Sequence, residues 1–208
     1  MDSKLLLILT HLVPYIMIPL MMWGFYKRRD YYKKIIYSNL LIQLGFITIF
    51  ISLVFEFSWH HFVQQWNYEN TSHILNLLFF TFMNLGFGLL SVGLYREKFT
   101  DALLLFAVLF TPIVYLLGYK SLGSVSQVIW LVILTYRLYK VLKDPLVFLF
   151  PFFSFFVNMI FIYLLYTTKD PLYHILHDLV GTLLGFGIVG YLLWINPVRR
   201  VKKEPSNT

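Results

Sequence analysis

With 208 residues, 59% of them hydrophobic and only 13% charged, the chain has too little polar surface to be a water-soluble globule, since such a domain carries about 25% charged residues. A net charge of +7 would suggest nucleic acid as partner for a soluble protein. Here the basic residues stand in short stretches between apolar runs, which makes the lipid bilayer the partner and excludes nucleic acid. The absence of Cys excludes disulfides, thiolate metal sites and Cys nucleophiles.

A spanning helix needs about 20 mostly apolar residues. Seven segments meet this in chain order, near 5–26, 35–57, 72–94, 102–118, 123–141, 145–166 and 174–195. The first could be mistaken for a signal peptide. Its apolar run is too long, no small-residue cleavage site follows, and its positive charge comes after the run. The fourth segment is the shortest. Lys143, Asp144 and Pro145 form the turn between the fifth and sixth, with Pro well placed at a helix start. The reading is an all-α, polytopic seven-helix bundle over 1–198, followed by a short basic tail over 199–208. Gly181, Gly185, Gly187 and Gly190 in the seventh segment let a neighbouring helix approach closely. Trp59, Trp66, Trp194, Tyr68 and Tyr173 suit aromatic belts. Asn70-Thr71-Ser72 matches the N-glycosylation sequon.

Basic loops stay in the cytoplasm. Of the 17 Lys and Arg, all but Lys4, Lys120 and Lys169 fall on one side of a seven-span topology. That places the N-terminus outside and the C-terminus in the cytoplasm. All six His then lie at or near the outer face: His11, His60, His61, His73, His174 and His177. Glu56, Glu69, Asp170 and Asp178 lie on the same side.

Residues three and four apart share a helix face. His174, His177 and Asp178 therefore project together from the start of the seventh helix, and Glu56 and His60 are four apart if the second helix continues that far. Ionisable groups at membrane depth usually face the bundle interior and mark function. Imidazole and carboxylate are zinc ligands, and a catalytic zinc keeps one position for water. The candidate metal ligands are His60, His61, His73, His174 and His177, with one of His60 and His61 pointing inward. Glu56, Asp178 and Ser58 are the candidate catalytic groups. His11, three residues before Pro14, ranks lowest and is expected to bond backbone near a kink.

The stretches FEFSWHHF (55–62), NYENTSH (67–73) and DPLYHILHDLVG (170–181) resemble the alkaline ceramidase, adiponectin-receptor and Per1 group of seven-helix membrane hydrolases. In that group a Ser and a His sit near the end of the second helix, an Asp near the start of the third, and an HxxxH pair opens the seventh. Here the pair is HxxH, Glu56 stands four before His60, and Ser58 stands three before His61. The resemblance implies a zinc-dependent hydrolase acting on an amide or ester of a lipid-like substrate at the outer face. A non-enzymatic membrane sensor, transport or partner-binding subunit is the alternative. A haem protein would place its ligands deeper, a retinal protein needs a Lys in the seventh helix, and a transporter would show charges near the midplane.

Overall fold

The computed structural model describes residues 3–65, 73–97, 99–117 and 121–201. Trp66, Tyr68, Glu69, the sequon Asn70-Thr71-Ser72, Lys98, Lys120, Lys202 and Lys203 lie outside these residues. Among the described residues the chain is all-helical, without a strand. Among the described residues six helices are long and apolar enough to cross a membrane: Lys4–Lys27, Asn39–Gln64, Ile74–Leu94, Val125–Leu142, Pro145–Thr168 and Pro171–Trp194. A seventh apolar helix, Thr100–Leu116, has 17 residues, at the lower end of what spans a bilayer. They are called the first to seventh spans in chain order, Thr100–Leu116 being the fourth.

Local chemistry fixes the ends. Ser38 caps the second span by accepting from the Leu41 amide at 3.3 Å. This N-cap, a residue type favoured there, starts the helix four residues later than hydropathy suggests. The same span runs on to Gln64 because its last turns, Trp59–Gln64, widen into π-helix. Gln65 ends it in the left-handed region at φ 48°. Between the fifth and sixth spans Lys143 takes φ 52°, and Asp144 accepts from the Leu146 amide at 3.0 Å with Pro145 at the first helical position. The seventh span repeats that device. Lys169 takes φ 59°, Asp170 accepts from the Leu172 amide at 2.9 Å, and Pro171 follows. The helix therefore begins at Pro171, three residues earlier than expected, and His174 lies within its opening turns.

The second and third spans form the closest pair, and three glycines bring their backbones together. A Cβ on Gly45 would meet Leu90 N at 2.9 Å, one on Gly86 would meet Gly45 O at 3.0 Å, and one on Gly93 would meet Ile42 N at 2.9 Å. Such small-residue contacts replace the hydrophobic driving force that lipid cannot supply between helices. The fourth and fifth spans pack on the third, the first packs on the second and seventh, and the sixth packs on the seventh. Asn84 donates to Thr111 at 2.7 Å, joining the buried faces of the third and fourth spans. In the seventh span, Gly181 and Gly185 face Asn158 and Ser154 of the sixth, and Gly187 and Gly190 face Met17 and Met21 of the first.

The core is apolar, with Phe25, Ile49, Trp130, Phe150 and Leu192 all buried. The outer surface is apolar too: Ile16, Leu20, Leu40, Phe106, Phe156 and Ile160 are all more than half exposed. Apolar side chains at that density suit lipid and would aggregate in water. Trp23 and Trp194 stack at 5.4 Å with the Arg28 guanidinium 5.0 Å over the Trp194 ring, binding the first span to the seventh at the end away from His11.

Candidate functional site

In the first span, the α-helix stops at His11, turns at Leu12 and resumes at Val13. Pro14 lacks the N–H that would bond the Thr10 carbonyl, so the ladder breaks there. The expected kink is present, but His11 does not spend its ring on backbone. Its Nδ1 lies 2.8 Å from Asp178 Oδ2 on the seventh span. Thr10 Oγ1 is 3.1 Å from both Asp178 Oδ2 and Leu7 O, its proton shared between two acceptors. Thr10, His11 and Asp178 are all buried.

The second span contributes through its widened end. A π-helix bonds i to i+5 and holds an extra residue per turn, a distortion frequent at functional sites. In Trp59–Gln64 it turns His60 into the bundle, where it is buried, and leaves His61 partly exposed with its ring stacked on Phe57 at 5.4 Å. His60 Nδ1 lies 2.7 Å from the amide oxygen of Gln64, itself buried. The seventh span widens likewise over His177–Leu184. His174 stands in the preceding α-helical turn, while His177 and Asp178 open the π segment. His177 Nδ1 is 3.1 Å from Asp178 Oδ1, and His174 Nε2 is 3.9 Å from that same oxygen.

Three spans thus deliver one cluster. The ring centroids of His11 and His174 are 4.7 Å apart, those of His60 and His174 4.9 Å, and those of His11 and His60 5.4 Å. Among the described residues two groups bring ligand atoms within 4.8 Å of one another: His11, His60 and His174; and His174, His177 and Asp178. A carboxylate or amide oxygen only accepts. The rings of His11, His177 and His60 therefore donate from Nδ1, and in the neutral form each carries its lone pair on Nε2. Glu56, partly buried, lies within electrostatic reach of His11, His177 and Asp178. The arrangement suits a small cation or hydrogen-bond donor: several imidazole nitrogens beside two carboxyl groups, set among apolar spans.

The other sequence candidates fall elsewhere. His73 stands at the N-cap of the third span, where its Nδ1 accepts from the Leu75 amide at 3.2 Å, and it belongs to neither group. His61 is likewise outside both. Ser58 is partly buried where the α-helical part of the second span ends; the bonds to Asp178 come instead from Thr10, His11 and His177. Thr10 and Gln64 were not candidates, and His11 ranked lowest. The signal for Thr10 and His11 is present in the sequence: a Thr-His pair inside an otherwise apolar span is costly unless it faces a partner. Nothing in the sequence marks Gln64, because its role depends on the π turn.

Compared with known proteins, residues 3–199 match a family model described as a seven transmembrane receptor. No curated protein and no solved structure matches the chain. The family found corrects the resemblance to the alkaline ceramidase, adiponectin-receptor and Per1 group, which is not matched. The geometry gives the physical reason. The HxxH pair of the seventh span straddles the start of a π segment, and beside His60 of the second span stands His11 of the first, which that group's pattern does not include. The agreement of seven helices was architectural.

Proposed function

Because the chain belongs to that seven transmembrane receptor family, we propose that it is a membrane receptor whose signal is received at the polar cluster joining the first, second and seventh spans. The observation that carries this reading is the convergence of His11, His60, His174 and Asp178, each on a buried face, from three spans of an otherwise apolar bundle. Polar groups at such depth are expensive and mark function by default. A group that contacts all three spans at once has different contacts in different arrangements of those spans, and that difference is what lets binding shift a conformational equilibrium. The bias of Lys and Arg supports an outward-facing cluster, with the basic stretches and the C-terminus in the cytoplasm. The membrane receptor reading takes the place of lipid hydrolysis, for which the family offers no support.

The test is a distance measurement. The chain has no Cys, and Tyr26 and Tyr191 are exposed on the first and seventh spans. Spin labels on Tyr26→Cys and Tyr191→Cys report separation of those spans away from the cluster. In lipid nanodiscs a panel of small amines, carboxylates and divalent cations is added to this labelled protein and to the same protein carrying His174→Ala. The receptor reading expects at least one compound to shift the distance, and the shift to vanish with His174→Ala. If compounds bind at the cluster and none moves the labels, the reading fails. Product release from N-acyl or O-acyl lipids would restore the hydrolase.

A further inference from the structure

Resting on the receptor reading, we propose that the ligand is a divalent transition-metal ion of the zinc class, bound by His11, His60 and His174 and oriented by Asp178 and Gln64. The argument begins with the rings. A metal-ligating His nearly always donates its second ring N–H to a carboxylate or carbonyl oxygen, which fixes the tautomer and the ring's direction. Both halves of that arrangement are present twice. Asp178 Oδ2 lies 2.8 Å from Nδ1 of His11, and Gln64 Oε1 lies 2.7 Å from Nδ1 of His60. Each leaves Nε2 as the nitrogen that offers a lone pair. His174 completes the triad, and the ligand atoms of all three lie within 4.8 Å of one another.

Charge agrees with this choice. Three imidazoles make a site for a borderline-soft cation and a poor one for calcium or magnesium, which take oxygen ligands. Burying a divalent ion requires compensating charge. Asp178 supplies it at contact with the triad, and Glu56 lies within electrostatic reach of His11. Asp178 also belongs to the second group with His174 and His177, so its charge lies against His174 as well as His11. Entry runs past His177, whose side chain is 17% exposed against 3% for His174.

The spacing links binding to the signal. Tetrahedral zinc holds nitrogen ligands at about 2.0–2.1 Å, hence roughly 3.4 Å from one another. The ligand nitrogens lie within 4.8 Å of one another, near enough for one ion to reach all three. Each belongs to a different span, so an ion held by all three would cross-link the first, second and seventh spans at this end.

The experiment uses the full chain in lipid nanodiscs, titrated first with Co2+ and then with Zn2+. The expected result is one Co2+ per chain with the visible absorption of a tetrahedral nitrogen site, displaced by Zn2+. The double variant His11→Ala, His174→Ala loses the absorption. Gln64→Leu, which keeps the ligands and loses a ring's acceptor, weakens binding about 10–100-fold with an unchanged helical circular dichroism spectrum. His73→Ala and His61→Ala leave it intact. Absence of stoichiometric metal in folded wild-type protein overturns the inference, as does binding that survives the double variant or follows His61 or His73. If metal fails to bind while another compound moves the spin labels, the metal falls and the receptor stands. If metal binds as described and the labels stay still, the site stands and the receptor falls.

Discussion

Replacing Asp178 by Ala removes the one acceptor shared by Thr10, His11 and His177, at 3.1, 2.8 and 3.1 Å. Asp178 is only 5% exposed, so water does not replace the lost carboxylate. Hydrogen bonds between membrane helices average about 0.6 kcal/mol and reach about 1.7, so three give roughly 2–5 kcal/mol. Breaking a buried ion pair by removing one partner gives about 3–5 kcal/mol. The two routes overlap, and a loss near 3 kcal/mol is expected. Asp178→Asn keeps one oxygen where Oδ2 accepts from both Thr10 and His11, so it should lose less than half as much. The assay is reversible unfolding in mixed micelles with rising denaturing detergent, in chelator, so that metal plays no part. A cycle with His11→Ala separates the pair, with a coupling of roughly 0.5–3 kcal/mol expected. If Asp178→Ala unfolds within about 0.5 kcal/mol of wild type, a range typical of uninvolved sites, the cluster is not a bonded network and the reasoning is refuted.

Three further outcomes are expected. Gly86→Val puts side-chain carbon where a Cβ already meets Gly45 O at 3.0 Å and Ile49 N at 3.1 Å, so it should cost about 1–3 kcal/mol as overpacking does; Gly187→Ala, with Met17 Cε 3.6 Å away, should be close to neutral in the same assay. His73→Ala removes a helix cap and should cost about 0.5–2 kcal/mol, with no change in Co2+ absorption. A single Cys at position 169 should react with an impermeant maleimide from outside intact cells and one at 143 only from the cytoplasm; the reverse pattern would invert the topology.

Hydropathy made the spans legible, because a bilayer imposes a length that runs of Leu, Ile and Phe either meet or miss. Their ends were less legible wherever a side chain took over. Ser38 delays the second span and Asp170 with Pro171 advances the seventh. Within the site, spacing put His174, His177 and Asp178 on one face, and the fold does bring them together. Spacing says nothing about which residue on a distant span arrives opposite. His11 was therefore ranked low, although its ring lies 2.8 Å from Asp178. Of the adjacent pair His60 and His61, the choice was set by the π turn at Trp59–Gln64, a distortion that α-helical counting does not see. His73 resembled a ligand by type and depth, and is used as a cap.

The seventh span leaves its π segment at Gly185, and that point sets the phase of everything after it. Each α-helical residue advances the face by about 100°. Below the wide stretch, Gly187 and Gly190 lie against Met17 and Met21, while Gly181 within it and Gly185 at its edge lie against Asn158 and Ser154. Removing one residue from 177–184 would allow the wide turn to tighten into ordinary α-helix, the gentlest length change for helical continuity. It would also rotate one half of the span against the other, parting glycines from the side chains they accommodate. This helix is therefore tuned like a key whose cuts must face two locks, and single-residue insertions and deletions should be tolerated in its flanking turns and rejected in its middle.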